Sequence, residues 1–338
     1  MIIGLAYDLR GEYLAEGYKD EDVAEFDSEG TITAIDNAIQ SLGYQTERIG
    51  NARSLCQELS AGKRWDLVFN IAEGLSGRCR ESQVPAILDA YGIGYTFSDA
   101  LTCAVTLDKG LAKRLVQAFK LPTARFAVFS QAPGPGSRVP GRYPLFAKPV
   151  AEGTGKGIDG NSLIESRSQL ERVCEDLLER FAQPVLVEEF LPGREFTVAV
   201  LGNGDEAYVL GVMEIKVPPL DKLGVVSKTE PQDKKANIYS YTAKEQCEKL
   251  VTYLPYRKGP LYKKVAQLAI DCYKVLQCND AARVDIRCDR KGQPCFLEIN
   301  PLPGMHPTHS DLPMIATQEG MSYTELIDRI IRSALSRP

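Results

Sequence analysis

The sequence predicts an α/β protein whose first hundred residues form an open, largely parallel α/β domain and whose remainder is α+β. Three observations carry that expectation. Short apolar runs alternate with helix-period segments over residues 1 to 104, the pattern of a sheet covered by crossover helices. Beyond residue 105 strand-like segments come in pairs instead, PVLVEEF with REFTVAVLG and ARVDIRCD with PCFLEIN, joined at the turns LPG and RKGQ. At 338 residues the chain is too long for one small core, so two or three packed units are expected.

The elements follow in order. IIGLAY is a short buried strand, and the acidic, turn-rich EGYKDEDVAEFDSEG comes after it. TITAIDNAIQSLGY has apolar residues at helical spacing and stops at Gly43. DLVFNIA is a second buried strand, and VPAILDAYGIG is a helix running into a glycine stop. DKGLAKRLVQAFKLP opens the next unit as a helix closed by Pro122, with ARFAVFS as a strand behind it. The Pro/Gly-rich SQAPGPGSRVPG is a surface loop, PLFAKPV is a strand leading into AEGTGKGIDG, and QLERVCEDLLERF is a helix. Residues 217 to 246 are polar with weak periodicity, which fits a long mobile loop. GPLYKKVAQLAIDCYKVLQ is an amphipathic helix, and SYTELIDRIIRSAL is a helix at the end. The expected divisions are therefore 1–104, 105–184 and 185–338.

Composition narrows the class. Hydrophobic content of 44% and charged content of 25% are those of an ordinary soluble globular protein. A net charge of −5 argues against a nucleic-acid partner, which needs a basic surface. Nine scattered cysteines without a C-x-x-C pair suit reduced thiols and a cytoplasmic location better than a disulfide framework. The opening apolar run is too short for a signal peptide, and no stretch reaches the ~18 apolar residues of a membrane span.

Chemistry concentrates in three segments. In the hairpin ARVDIRCD–PCFLEIN, Glu298 and Asn300 are two apart and project from one face, and strand pairing can bring Asp285 onto it. Three hard oxygen donors there suit Mg²⁺ of the kind that carries nucleotide phosphates, although alone the hairpin also reads as a polar sheet face with incidental acids. In AKPVAEGTGKGI, Lys148 ends a strand and Gly153, Gly155 and Gly157 alternate with Thr154 and Lys156. Glycines admit backbone N–H groups close to an oxyanion and lysines neutralise it, but the spacing is neither a Walker A nor a Rossmann motif. In VLVEEFLPGREFTV, Glu188 and Glu195 are placed so that a turn could bring both to one cleft.

Taken in order, Asp108-Lys109, KP-x-x-EG-x-x-x-G, EEF-x-x-GREFTV, ARVD and FLEIN-x-x-PGM resemble the ATP-grasp superfamily, in its D-alanine–D-alanine ligase branch. DLVFNIAEG, GIGYTFSDALTCAVTLDK and EGMSYTELIDRII extend the likeness from about residue 65 to the C-terminus. The resemblance implies a two-subdomain ATP-grasp fold behind the N-terminal domain, and an ATP- and Mg²⁺-dependent carboxylate–amine ligase. Lys109 and Lys148 would contact ATP phosphates, and Glu152, Gly153, Thr154, Gly155 and Gly157 would form the loop over them. Glu188 would meet the adenine amino group beside the backbone of Phe190 and Leu191, with Glu195 on the ribose. Asp285, Glu298 and Asn300 would hold two Mg²⁺ ions, with Mn²⁺ as a substitute. Arg283 and the Gly304 N–H would stabilise a tetrahedral oxyanion, and Lys244 would close over the γ-phosphate. A homodimer through the N-terminal domain suits the family.

Departures cluster in the half that would hold the amino acids. The family opening GG-x-S-x-E is replaced by AYDLRGEY, where Asp8 or Glu12 are the candidates for the missing glutamate. HG-x-x-GEDG becomes Glu73 to Glu81, with Arg78 and Arg80 where acids are expected, either a solvated loop or a site for an anionic acyl substrate. Lys244 is followed by Glu245 in place of tyrosine. PGMT-x-x-SL becomes PGMHPTHSDLP, so His306, His309 and Ser310 fall in the loop that would face the second substrate. No further histidine or cysteine pair supports a zinc site on those two rings. The expectation is a ligase joining amino acids or a small peptide with altered substrate choice. A true D-alanine–D-alanine ligase and a non-catalytic ATP-binding module are the alternatives.

Overall fold

The computed structural model describes residues 1–134, 136–216 and 251–337. Lys244, and the loop expected at 217–246, lie outside the described residues.

Three sheets organise the chain. The first is parallel, in the order β2-β1-β3, from β1 (Ile2–Ala6), β2 (Gln45–Gly50) and β3 (Leu67–Asn70). The short α1 (Arg10–Ala15) follows β1, while α2 (Glu29–Ser41) and α3 (Ala52–Ser60) lie on either side of β2 in the chain. Ser28 caps α2 by accepting the Thr31 N–H, satisfying one of the donors a helix start leaves unpaired. Its Ile32, Ile35 and Ile39 are buried at helical spacing against Ile3, Leu5 and Phe69 of the sheet. α4 (Gln83–Tyr91) ends at Gly92, whose φ of +65° is the left-handed stop expected from the sequence.

α5 (Ala100–Leu107) and α6 (Lys109–Ala118) lead into the second sheet, an antiparallel one ordered β4-β7-β5-β6. Its strands are β4 (Phe126–Phe129), β5 (Leu145–Pro149), β6 (Leu163–Ile164) and β7 (Val185–Glu189). α7 (Arg167–Phe181) covers it, with Leu170, Val173, Cys174 and Leu177 buried against Leu145, Ala147, Val185 and Val187.

The third sheet is antiparallel, in the order β10-β9-β8-β11-β12. It comprises β8 (Glu195–Leu201), β9 (Tyr208–Lys216), β10 (Thr252–Pro255), β11 (Ala281–Cys288) and β12 (Pro294–Asn300). α8 (Pro260–Val275) starts with the proline its missing N–H allows at a first helical position, and packs Leu268 and Tyr273 onto the sheet. α6 joins the same core through Ala112 and Val116, beside Phe296. α9 (Asp311–Gln318) and α10 (Tyr323–Leu335) close the chain. Ile327, Ile330 and Ile331 of α10 pack with Ile32, Ile35 and Ile39 of α2, so the C-terminal helix completes the N-terminal core.

No helix among the described residues is long and apolar enough to cross a membrane. The eight cysteines among them are all free thiols.

Candidate active site

The strands of the expected donor hairpin pair in register. Asp285 on β11 faces Glu298 on β12, and Arg283 faces Asn300 one rung further on. Residues two apart share a strand face, so these four side chains form two successive rungs on one face. The first rung lines a cleft between the second and third sheets, together with Lys148, Glu188, Phe190, Leu191 and Glu195. The second lines an adjoining cavity of about 380 Å³ that reaches the first domain.

Charges in the cleft are tightly interleaved. Lys148 Nζ is 3.1 Å from Glu298 and 3.8 Å from Glu188, and Lys109 Nζ is 3.8 Å from Glu298. The carboxylates of Glu298 and Glu188 outweigh burial and hold the Lys148 ammonium above its ordinary value, so it stays charged. Lys113, one turn after Lys109 on α6, is completely buried and lies 2.8 Å from Glu188. Burial pushes Lys113 down while Glu188 pulls it up, with the net shift downward. Glu195 pairs with Arg287 at 3.0 Å, and the Arg287 guanidinium lies over the Phe190 ring at 5.2 Å.

The glycine-rich segment forms a loop above this cleft. Thr154, Gly155 and Gly157 have φ of +47°, +77° and +72°, a left-handed run that glycine adopts without strain. Lys109 Nζ donates to the Glu152 carbonyl, and the Glu152 carboxylate takes Lys156 at 2.6 Å and Gln183 at 2.6 Å. Glu25 reaches across from the first domain: it accepts the Gly153 N–H at 2.6 Å and the Arg80 guanidinium at 2.5 Å.

In the cavity, Arg283 is paired with Asp285 at 3.0 Å and Asp311 at 3.2 Å. Gly304 is held close to Ser310: a Cβ there would sit 2.8 Å from the Ser310 hydroxyl oxygen. That hydroxyl also accepts the His306 N–H at 2.9 Å and ties the loop shut. The His306 and His309 rings lie 4.5 Å apart, and burial followed by His309 lowers the His306 pKa. Among the described residues no group of three or more His, Cys, Asp and Glu side chains could hold a metal, and the hairpin set is two carboxylates and an amide.

Two substrate-side expectations change. Asp8 is buried away from the cavity, accepting the Tyr13 hydroxyl at 2.5 Å and the Gly74 N–H at 2.8 Å, and Glu12 is exposed on α1. The carboxylates that do reach the cavity from the N-terminal part of the chain are Glu25, Asp27, Glu73 and Glu81. Arg80 does not present a free guanidinium to an anion, because it is buried and donates to Glu25 and to the Ala151 carbonyl. Arg78 is exposed and pairs with Asp108 at 3.2 Å. Sequence reading missed Glu25, Asp27, Lys113 and Asp311. Only Lys113 carried a signal, its four-residue spacing from Lys109 on a helix.

Residues 115–332 match the family model described as the D-alanine–D-alanine ligase C-terminus. The chain belongs to the D-alanine–D-alanine ligase family. It is 30% identical to the D-alanine–D-alanine ligase of Aquifex aeolicus over 298 residues, 88% of this chain and 92% of the relative. It is 34% identical to the uncharacterized protein y4sG of Sinorhizobium fredii over 313 residues, 89% of this chain and 86% of that one. The D-alanine–D-alanine ligase of Bacillus anthracis complexed with ATP has the same fold, with a TM-score of 0.69 at 19% identity over 99% of this chain and 97% of that one. The chain is thus a D-alanine–D-alanine ligase-like member of the ATP-grasp enzymes, an ATP-dependent C–N ligase.

Proposed function

We propose that the chain joins the carboxylate of one amino acid or small peptide to the amine of another through an acyl phosphate, with ATP bound between the second and third sheets. The observation that carries the reading is Lys148, held charged between Glu188 and Glu298 in the cleft between the second and third sheets. Lys109 and Lys148 would face the phosphates, the 152–157 loop would cover them, and Glu188, Phe190, Leu191 and Glu195 would line the nucleoside.

Asp285, Glu298 and Asn300 fit Mg²⁺. All three offer hard oxygen, and the buried Asp285 Oδ1 has no hydrogen-bond partner. Bound there, the ion would neutralise charge on the transferring phosphoryl group.

A carboxylate is a poor acylating agent. Its attack on the γ-phosphate releases ADP and leaves an acyl phosphate; the amine then attacks the carbonyl, and phosphate departs as the amide forms. Arg283 and the Gly304 N–H, on the cavity wall, would take the negative charge that develops on the carbonyl oxygen. The loop from Gly304 to Ser310 would bind the second substrate, with His306 and His309 beside it.

The test is ADP release with Mg²⁺ and ATP across D- and L-amino acids, with products identified by mass. Amino-acid-stimulated ADP release with an amide product supports the ligase. D-alanyl-D-alanine as the preferred product would return the chain to its relatives' chemistry and remove the altered-substrate reading. ATP binding with no stimulation by any amino acid or dipeptide would leave only a binding module.

A further inference from the structure

The cavity beside the cleft has more negative charge than one amino acid needs. Glu25, Asp27, Glu73, Glu81 and Asp311 line it, against Arg10 and Arg283. Four of these charges are already matched: Asp311 and Arg283 pair at 3.2 Å, Glu25 pairs with Arg80 at 2.5 Å, and Arg10 turns to Asp20 at 2.7 Å. Asp27, Glu73 and Glu81 remain on the wall contributed by the first domain.

Glu81 is the telling residue. It is 8% exposed, it lines the cavity, and among the described residues no hydrogen bond or ion pair holds its carboxylate. Arg80 and Lys109 are the cations that its charge feels. Arg80 donates to Glu25 and to the Ala151 carbonyl, and Lys109 donates to the Glu152 carbonyl. Burying a carboxylate without a partner is costly, so such a group is retained where a ligand supplies the partner. Burial raises the pKa of Glu73, Glu81 and Asp27 alike, the mark of a wall waiting for positive charge. Among the described residues these carboxylates form no group of three that could hold a metal ion. Carboxylate acceptors along a cavity wall suit an organic cation with two separated centres.

We infer that the substrate lodged on the first-domain side of this cavity carries two cationic groups, as a diamino acid does, its second ammonium held by Glu81 and Glu73. This rests on the ligase reading above and narrows its substrate class. An ordinary α-ammonium needs one of the carboxylates; the second centre takes the others. A neutral side chain of the same length would leave the Glu81 carboxylate buried and unpaired.

The experiment compares lysine, ornithine and 2,3-diaminopropionate, in both stereochemistries, with neutral analogues of matched length such as norleucine and norvaline. Two readouts are taken on the full chain: ADP release with ATP and Mg²⁺, and calorimetric binding in the presence of a non-hydrolysable ATP analogue. At least one diamino acid is expected to exceed its neutral analogue by about tenfold or more in kcat/KM and in affinity, the scale of one charge-assisted hydrogen bond. Glu81→Gln and, separately, Glu73→Gln should shrink that ratio towards one, with melting curves checking that each variant folds. Equal use of the neutral analogues would overturn the inference and leave the ligase reading standing. Diamino-acid binding that depends on Glu81, without ADP release, would uphold the inference and defeat the ligase reading. No preferential binding and no turnover would defeat both.

Discussion

The Glu25 carboxylate accepts the backbone N–H of Gly153 at 2.6 Å, joining residues 128 positions apart in the chain. Its other oxygen takes Arg80 at 2.5 Å, and Lys156 stands 3.8 Å away. Burial alone would raise the Glu25 pKa, yet Arg80 and Lys156 bring it below the ordinary carboxylate value. An anion from the first domain therefore holds the base of the glycine-rich loop.

That clamp should matter for ATP. Glu25→Gln keeps an acceptor for Gly153 but removes the charge facing Arg80 and Lys156. The KM for ATP is expected to rise about tenfold, equivalent to one charge-assisted hydrogen bond. Steady-state kinetics would check this, and an unchanged KM would mean the loop orders without its clamp.

Lys148 stands between Glu188 and Glu298, the residues proposed to meet the nucleoside and the Mg²⁺ ion. Lys148→Met should cut kcat/KM for ATP by about a hundredfold or more, the usual scale for a charge aimed at a transferring group. Glu298→Gln should instead raise the Mg²⁺ concentration needed for half-maximal ADP release. Identical Mg²⁺ titrations of the Gln variant and the unaltered chain would remove Glu298 from the metal set.

Lys113 and Glu188 form an ion pair in which the lysine is fully buried. Removing Lys113 leaves the buried Glu188 with the more distant Lys148, 3.8 Å away, so Lys113→Met is expected to cost about 3 kcal/mol of stability, the low end for a broken buried pair. Urea unfolding of Lys113→Met beside the Lys113→Met, Glu188→Leu double variant separates the pair from packing. If the double variant is no more stable than the single, uncompensated charge is not the cause.

The Glu81 pKa is pushed up to about 7 by burial, against the pull of Arg80. A carboxyl raised on folding binds its proton more tightly in the folded state. Its stabilising contribution is complete below its unfolded value of 4.5 and disappears as pH rises through about 7. Melting temperature without substrate should therefore fall across that window, and Glu81→Gln should flatten the fall. A variant whose melting profile keeps the full decline would assign the proton to another group, with Asp27 next in line because burial raises it to about 7 as well.

Much of the site was readable locally because strand geometry is local. Asp285, Glu298 and Asn300 follow from side-chain alternation and one hairpin, and the observed register pairs Asp285 with Glu298. Lys148 at a strand end, and glycines alternating through the loop after it, are equally visible in a short window. Helices with strong spacing, such as Glu29–Ser41 and Pro260–Val275, fell where expected. The polar strand Gln45–Gly50 was not foreseen, because QTERIG lacks the apolar run by which the other parallel strands announce themselves.

The substrate side depends on distance in space. Nothing near residue 8 in the sequence says that Asp8 would be captured by Tyr13 and Gly74, leaving Glu25 and Asp27 to reach the cavity. Arg80 looks like an anion receptor in its own segment and proves to be a buried partner of Glu25. α10 likewise completes a core begun by α2, some 290 residues earlier. Spacing and alternation are properties of a few consecutive residues, so the chain itself dictated the candidate phosphate and metal segments and the class of chemistry. Which charges neutralise one another, and which are left facing the cavity, is set by packing between segments far apart in the chain, and folding alone decided it.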